Sequence, residues 1–181
     1  MDRPRLSLNG VFPPIPTPFD ADGDVAVESL AENLKLWNHY DLAGYVVLGS
    51  NGEGVYLTTE EKVRVWKMAR QAIPAERLLI AGAGCESTRQ TIALSSRAAD
   101  AGADAVLILT PHYYVGQMAP EALTRHFEII ADHVPIPVVL YNMPRYTGVD
   151  MDAATIARIA RHPNVIGIKD SGGNVGKLAQ V

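Results

Sequence analysis

The sequence predicts an α/β fold of parallel strands, on three observations. Short apolar runs of strand length recur along the chain, and each is followed by a longer segment of helical character. The runs are rich in Val, Ile and Leu without polar alternation, which is typical of parallel strands buried on both faces. Their starts lie roughly 30 residues apart, the size of one βα unit of a barrel. The six predicted strands are residues 11–15, 44–48, 78–83, 105–109, 138–141 and 165–168.

The segments between these runs carry helix signals. Thr58 with Glu61 and Ser87 with Gln90 have the spacing of a capping box, and Gly102 stands where a C-terminal cap belongs. Periodicity alone allows two architectures, a (β/α)8 barrel or a doubly wound open sheet. No linker or change in composition divides the chain, so we expect a single domain over residues 1–181.

The composition is that of a globular protein, with 181 residues of which 48% are hydrophobic and 20% charged. The 16 basic and 20 acidic residues are scattered, which indicates no surface for nucleic acid or anionic lipid. Cys85 is the single cysteine and cannot form an internal disulfide, and residues 1–9 lack the apolar stretch of a secretory signal. We expect a cytoplasmic enzyme with no nucleic-acid and no membrane partner.

Motifs for metals, nucleotides and hydrolases are absent from the sequence. The five histidines show no metal-ligand spacing, and neither a nucleophile elbow nor a phosphate-binding loop occurs. Residues 82–87 resemble a dinucleotide fingerprint, but Ser87 stands where its third glycine belongs. We expect no metal and no organic cofactor.

Both architectures place functional residues at the carboxyl ends of their strands. After the first strand, a proline-rich run leaves Thr17 as one candidate contact. The second strand leads into residues 49–54, whose backbone N–H groups either hold an anion or form a tight turn. The fourth and fifth strands lead to Tyr113, Tyr114 and Tyr141, which are either members of a proton relay or packing residues.

Lys169 follows directly on the sixth apolar run, whereas the other four lysines lie on helical or terminal segments where solvation is easy. Burial disfavours an ammonium ion, and a neutral amine can attack a ketone to form a Schiff base. The alternative is a structural lysine that pairs with Asp170 or extends its amine to the rim of a barrel. The residues by themselves leave both interpretations open.

Four motifs occur in an order and spacing that resemble the dihydrodipicolinate synthase and N-acetylneuraminate lyase family. They are Gly49-Ser50-Asn51-Gly52-Glu53, Tyr113-Tyr114, Tyr141-Asn142-Met143-Pro144 with Thr147-Gly148, and Gly167-Ile168-Lys169-Asp170-Ser171. The resemblance extends over essentially the whole chain. It implies a (β/α)8 barrel, the activity of a class I aldolase or related lyase without a metal, and a homotetramer arranged as a dimer of dimers.

The resemblance also implies roles for the site residues. Lys169 forms the imine with pyruvate, or with a 2-oxo acid that yields pyruvate, and Tyr141 is the general acid and base beside it. Ser50 links into the tyrosine relay, to which Tyr114 is contributed across a subunit contact. Backbone N–H groups of Ser50 and Asn51 hold the pyruvate carboxylate.

One departure from the family pattern bears on the substrate. Where dihydrodipicolinate synthases usually carry an arginine that binds the aldehyde substrate, this sequence has Tyr146, with Arg145 one place earlier. Residues 83–88 and 169–173 look most like the 4-hydroxy-2-oxoglutarate aldolase branch. We therefore expect an aldolase that yields pyruvate and glyoxylate. The alternatives are a synthase that condenses pyruvate with aspartate semialdehyde for lysine biosynthesis, and a sugar-acid dehydratase of the same family.

The other departure is length. The chain stops at Val181, just into the helix after the sixth predicted strand, so it covers about six of the eight βα units and is expected to be incomplete at the C-terminal end. Six strands cannot close an eight-stranded barrel. We expect a fragment of a longer protein in preference to a barrel completed by another chain. A truncated barrel without catalytic activity is the non-enzymatic alternative.

Overall fold

The computed structural model describes residues 6–181. Five parallel strands within that range form one sheet and follow each other in the order of the sequence, β1 to β5. A doubly wound sheet reverses its strand order at a switch point, whereas a barrel adds each strand beside the last. The sequential order is therefore that of a barrel. The strands are β1 Gly44–Val47, β2 Leu78–Gly82, β3 Ala105–Leu109, β4 Val138–Asn142 and β5 Val165–Asp170.

Seven α-helices occur in the described residues, of which the first precedes β1 and the others lie between the strands or after them. They are α1 Val27–Trp37, α2 Thr59–Ala72, α3 Thr88–Asp100, α4 Pro120–His133, α5 Pro144–Thr147, α6 Ala153–Ile159 and α7 Val175–Leu178. None of them is long and apolar enough to cross a membrane. Residues 1–5, which belong to the stretch predicted to lack a secretory signal and to the predicted domain, lie outside the described residues.

The first predicted strand, residues 11–15, is not a strand. The segment runs beside β1 and exchanges hydrogen bonds with it, from Ile15 N to Val46 O and from Val46 N to Pro13 O, both at 3.0 Å. Its only strand-like pairing is a single bridge between Pro14 and Val46. Proline has no N–H to donate to a ladder, so two consecutive prolines interrupt the strand that the apolar pattern predicted.

The predicted helix caps are confirmed in most details. The Thr58 side chain accepts from Glu61 N while the Glu61 carboxylate accepts from Thr58 N at 2.7 Å, which completes a capping box. Ser87 accepts from Gln90 N at 3.2 Å, but the Gln90 side chain bonds the Ser87 hydroxyl instead of its backbone, so the second box is only half formed. Gly102 follows α3 with φ +92°, as a C-terminal cap requires.

The sheet separates two apolar clusters. The larger one lies between the sheet and the helices, where Leu34, Trp66, Phe127 and Ile156 are completely buried. The smaller one covers the other face and consists of Val46, Ile80, Ala105, Leu107, Val139 and Tyr141. β5 lies at the edge of the described sheet, and beyond Val165 it is half-buried, so the expectation of burial on both faces is wrong for this strand.

Candidate active site

Tyr141 and Lys169 are register partners near the carboxyl ends of β4 and β5, so both side chains leave the sheet on the same face. Lys169 Nζ lies 4.1 Å from the centroid of the Tyr141 ring. Lys169 lies inside β5, which extends to Asp170, rather than just after the strand as predicted. The backbone of both residues is therefore held by the hydrogen bonds between β4 and β5, which fixes the positions from which the two side chains extend.

Ser50 approaches the same phenol from the turn after β1. The Ser50 and Tyr141 hydroxyl oxygens are 3.1 Å apart. Ser50 begins a single 3-10 turn, Ser50–Gly52, and the buried Thr17 donates its hydroxyl proton to Gly52 O at 2.6 Å. Thr17, which the sequence predicts as a substrate contact, therefore has its hydroxyl proton engaged in holding this turn, and its contact with substrate stays a prediction.

Leu48 turns the chain from β1 towards Ser50 in a left-handed backbone conformation, with φ 61°. Such a conformation costs a residue other than glycine of order 1–3 kcal/mol and persists where the surrounding structure enforces it. Two glycines surround the Leu48 carbonyl. A Cβ at Gly82 would overlap its oxygen, and a Cβ at Gly54 would lie 2.8 Å from it. The sequence places both glycines in motifs at the ends of strands. The structure shows that each must be glycine because the Leu48 carbonyl leaves no room for a Cβ.

Tyr141 is buried and its ionisation is favoured by its neighbours. Burial alone would raise the pKa of Tyr141. Hydrogen bonds with Ser50, Lys169 and Ser171 and the positive charge of Lys169 outweigh burial, so the pKa of Tyr141 lies below its ordinary value. A phenol of this kind gives up its proton more readily, which suits a group that exchanges protons with a substrate.

A cleft of about 330 Å³ opens over Ser50 and Tyr141. This volume lies at the small end of the range for ligand pockets, roughly 300–1,000 Å³, and so favours a small substrate. The lining residues come from the ends of several strands and include both polar and apolar side chains. The lining residues are Leu48, Gly49, Ser50, Gly54, Val55, Lys62, Gly82, Gly84, Cys85, Glu86, Leu107, Leu109, His112 and Tyr141.

Glu86 holds the loop that carries the tyrosine pair. Its carboxylate accepts from His112 N at 2.9 Å and from Tyr113 N at 2.8 Å, and it lies 2.9 Å from His112 Nδ1. The rings of Tyr113 and Tyr114 meet edge to face with centroids 4.9 Å apart, and the two side chains are 76% and 69% exposed. Tyr114 forms no hydrogen bond with the site among the described residues. Glu86 is not among the site residues predicted from the sequence, because its hydrogen-bond partners lie 26 and 27 positions away along the chain.

Several predicted site residues do not line the cleft. Asn51 is exposed at the turn after β1, and Arg145 and Tyr146 are exposed on α5. None of these three lines the cleft, and its lining residues do not include Lys169, Thr17 or Tyr114 either. The structure thus brings Lys169, Tyr141 and Ser50 together, and it leaves the predicted contacts of the other residues to be tested.

Cys85 lies half-buried at the cleft wall, where burial raises the pKa of its thiol. Among residues 6–181, no group of three or more His, Cys, Asp or Glu side chains is arranged to hold a metal ion. Independence from metals and cofactors stays a prediction.

Asp170 pairs with Lys177 rather than with Lys169. Asp170 Oδ2 lies 3.1 Å from Lys177 Nζ, and Lys177 is only 8% exposed. The expectation that Lys177 lies where solvation is easy was therefore wrong, because its helix packs the side chain against two carboxylates. The predicted alternative in which Lys169 is a structural lysine paired with Asp170 is therefore wrong.

Known proteins resemble this chain in sequence and in fold. Residues 7–181 match the profile of the dihydrodipicolinate synthetase family. The chain belongs to this family. It is 39% identical to the probable mitochondrial 4-hydroxy-2-oxoglutarate aldolase of Emericella nidulans, over 98% of this chain and 59% of that protein. It is 38% identical to the 4-hydroxy-tetrahydrodipicolinate synthase of Methanosphaerula palustris, over 96% of this chain and 60% of that protein.

A solved structure of the family confirms the predicted barrel. Dihydrodipicolinate synthase from Acinetobacter baumannii, crystallised with pyruvate, superposes with a TM-score of 0.89 at 38% identity, over 94% of this chain and 58% of that one. The chain thus has the fold of the family's (β/α)8 barrels, and it spans about three fifths of the length of these relatives. The predicted family is confirmed, and relatives with two different substrates match it almost equally well.

Proposed function

We propose that the protein is a class I aldolase in which Lys169 forms an imine with a 2-oxo acid. The observation that carries this proposal is the contact of three groups from three strand ends. The Lys169 amine lies 4.1 Å from the centre of the Tyr141 ring, and the Tyr141 hydroxyl lies 3.1 Å from Ser50 Oγ. An amine beside a phenol that exchanges protons is the arrangement that imine formation and collapse require.

With 4-hydroxy-2-oxoglutarate as the substrate, the reaction begins at the amine of Lys169. Lys169 Nζ attacks the C2 ketone and water leaves, which gives a protonated imine. Tyr141 takes the proton of the C4 hydroxyl, the C3–C4 bond breaks, and its electron pair moves towards the imine nitrogen, which releases glyoxylate. Protonation at C3 and addition of water then release pyruvate and restore the amine. Ser50 exchanges a proton with Tyr141, because their hydroxyl groups are in contact.

The carboxylate of the substrate is held at the turn after β1. Ser50 and Asn51 are the first residues of a 3-10 turn, and the leading N–H groups of a helical turn have no acceptor inside it. A carboxylate bound there would place its neighbouring ketone close to the cleft wall that carries Tyr141. Binding of the carboxylate at this turn is supported by the geometry of the turn and by the resemblance to the family.

We place 4-hydroxy-2-oxoglutarate first among the substrates because residues 83–88 and 169–173 look most like that aldolase branch. Tyr146, which offers one neutral donor where an arginine would bind a carboxylate in bidentate fashion, does not decide the ranking, since both candidate substrates bring a second carboxylate. A relative named as a 4-hydroxy-2-oxoglutarate aldolase supports this ranking. Condensation of pyruvate with aspartate semialdehyde is the second candidate, supported by a relative of that name and by the nearby Arg145.

Cleavage of 4-hydroxy-2-oxoglutarate, measured as pyruvate release, tests this proposal. We expect activity in the natural protein and in the Lys67→Ala variant, since Lys67 is exposed on α2, and none in Lys169→Ala. Activity that survives Lys169→Ala would overturn the role of this lysine. If aspartate semialdehyde has a kcat/KM more than about tenfold higher, roughly 1.4 kcal/mol of transition-state preference, the ranking of substrates is wrong. Dehydration of a sugar acid instead would identify the dehydratase.

Assembly and location belong to the same proposal. We infer a homo-oligomer in which Tyr114 completes the site of a neighbouring subunit, because the exposed tyrosine pair makes no hydrogen bond with the site of its own chain in the described residues. A cytoplasmic location stays a prediction, and one relative is described as mitochondrial. An inert barrel that binds pyruvate without turnover would show binding of pyruvate but no product.

A further inference from the structure

Tyr141 and Lys169 are backed on the other face of the sheet by a second pair of residues. Asn142 and Asp170 are the next register partners along β4 and β5. Because side chains alternate between the two faces of a strand, Asn142 and Asp170 face the helices while Tyr141 and Lys169 lie on the opposite face. Asn142 is completely buried, and the Asp170 side chain is 1% exposed.

Side chains join the two strands at this position. Asn142 Nδ2 donates to Asp170 Oδ2 at 2.8 Å and to Asp150 Oδ1 at 2.7 Å, and Asn142 Oδ1 accepts from Met151 N at 3.0 Å. Both amide protons and the amide oxygen have partners, so the orientation of Asn142 is fixed. The spacing of β4 and β5 beside the reactive pair is therefore set by side chains as well as by the backbone ladder.

Lys177 closes this network from α7. Its Nζ lies 2.5 Å from Asp150 Oδ1 and 3.1 Å from Asp170 Oδ2. Burial opposes the charge on Lys177, but its bonds to the two carboxylates outweigh burial and hold the pKa of Lys177 above its ordinary value. The buried Asp170 carboxylate depends on this ammonium, because a buried charge without a partner is strongly disfavoured.

The network also fixes the segment that follows Lys169. Gly172 N donates to Asp170 Oδ1 at 2.8 Å, and Ser171 N donates to Asn142 O at 2.9 Å. Ser171 is also one of the neighbours that lower the pKa of Tyr141. Asp170 thus holds the chain directly after Ser171, and it is the next residue along β5 from Lys169, which carries the amine.

We propose that Asp170 and Lys177 are positioning residues, which hold the Lys169 amine against Tyr141 from the opposite face of the sheet. This inference rests on the proposed function, since such positioning matters only when Lys169 forms the imine. Neither residue lines the cleft, so both act through the backbone of β5. Loss of the network shifts the amine relative to the phenol, and a misplacement of about 1 Å can slow a reaction by roughly 10²-fold.

The rate of pyruvate adduct formation, trapped with borohydride and followed by intact mass, tests this inference. The variants are Lys177→Met, which keeps the length of the side chain and removes its charge, and the same change at the exposed Lys67 as a matched control. At saturating pyruvate and with each protein shown to be folded, we expect Lys177→Met to trap roughly 10- to 100-fold more slowly. The pyruvate concentration for half-saturation should stay within about twofold, because the network does not contact the substrate.

The outcomes separate this inference from the proposed function. Absence of an adduct in the natural protein contradicts the proposed function. An adduct that forms at the natural rate in folded Lys177→Met overturns the positioning role, even if the variant melts at a lower temperature. If Lys177→Met does not fold, Asp150→Ala takes its place, since Asp150 is exposed and its loss still removes one anchor of Lys177 and one of Asn142. Trapping by folded Asp150→Ala at the natural rate would overturn the inference equally.

Discussion

The Lys169 amine lies over the Tyr141 ring, 4.1 Å from its centroid, and the two residues face each other across the β4–β5 ladder. Their backbone atoms are held at adjacent points of a parallel sheet, so the contact depends little on loops. The phenol is also held from the other side by Ser50, at 3.1 Å. The candidate chemistry is therefore placed by regular structure, which gives mutations at these positions interpretable effects.

Removing the Tyr141 hydroxyl should slow turnover without preventing the imine. We expect Tyr141→Phe to keep the borohydride-trapped pyruvate adduct and to lower kcat by about 10²–10⁴, the usual contribution of one general acid–base group. Tyr40→Phe is the control, because Tyr40 is exposed and precedes the amino end of β1, whereas the site lies at the carboxyl ends of the strands. A kcat equal to that of the natural protein would show that Tyr141 is a packing residue.

Gly82→Ala should disrupt the turn that carries Ser50. A Cβ at this position would overlap the Leu48 carbonyl oxygen, which belongs to backbone and cannot swing aside. We expect a loss of about 1–3 kcal/mol in the free energy of unfolding, measured with urea, and a large loss of activity. Gly116→Ala is the matched control, since a Cβ there meets nothing within 4 Å. Equal stability of the two variants would contradict the close approach of Gly82 and Leu48.

His126 should make the fold less stable in acid. Burial lowers the pKa of His126 to about 4, its Nδ1 lies 2.9 Å from Thr88 Oγ1, and its Nε2 has no partner in the described residues. The unfolded chain binds a proton at about pH 6.5, so the stability that neutral His126 contributes is present above that pH and is lost as pH falls towards 4.

The loss amounts to about 3 kcal/mol, from roughly 2.5 pH units at about 1.4 kcal/mol each. The measurement is the free energy of unfolding at pH 7 and at pH 4 for the natural protein, His126→Gln and the exposed His39→Gln. We expect the pH dependence to shrink only in His126→Gln. The same pH dependence in all three proteins would assign the acid sensitivity to other groups.

Tyr114 should act in the site of another subunit. Lys169→Ala and Tyr114→Ala are each expected to be inactive, and mixing the two proteins should restore activity. A mixed assembly then contains a site with Lys169 from one chain and Tyr114 from the other. An assembly of either variant alone contains no such site, so each variant by itself is the control. Mixtures that stay inactive although the subunits exchange would place Tyr114 outside the site.

The sequence predicts the strands and the reactive residues better than it predicts what supports them. Five of the six strands predicted from apolar runs are present. The prediction for residues 11–15 was wrong, because prolines are apolar like the residues of a buried strand but cannot donate backbone hydrogen bonds. Lys169 stands out because a lysine that ends an apolar strand is unusual. Lys177 gives no such signal, since its partner Asp150 lies 27 positions away and only the fold brings the two together.

Mapping of the pyruvate adduct tests the central claim most directly. The protein is incubated with pyruvate and borohydride, weighed intact, and digested to locate the modified residue. We predict one reduced pyruvate per chain, attached to Lys169, and no mass gain in Lys169→Ala, while Lys67→Ala and the natural protein behave alike. Folded protein that gains no adduct, or that carries it on another lysine, would contradict the assignment of Lys169 as the imine-forming residue.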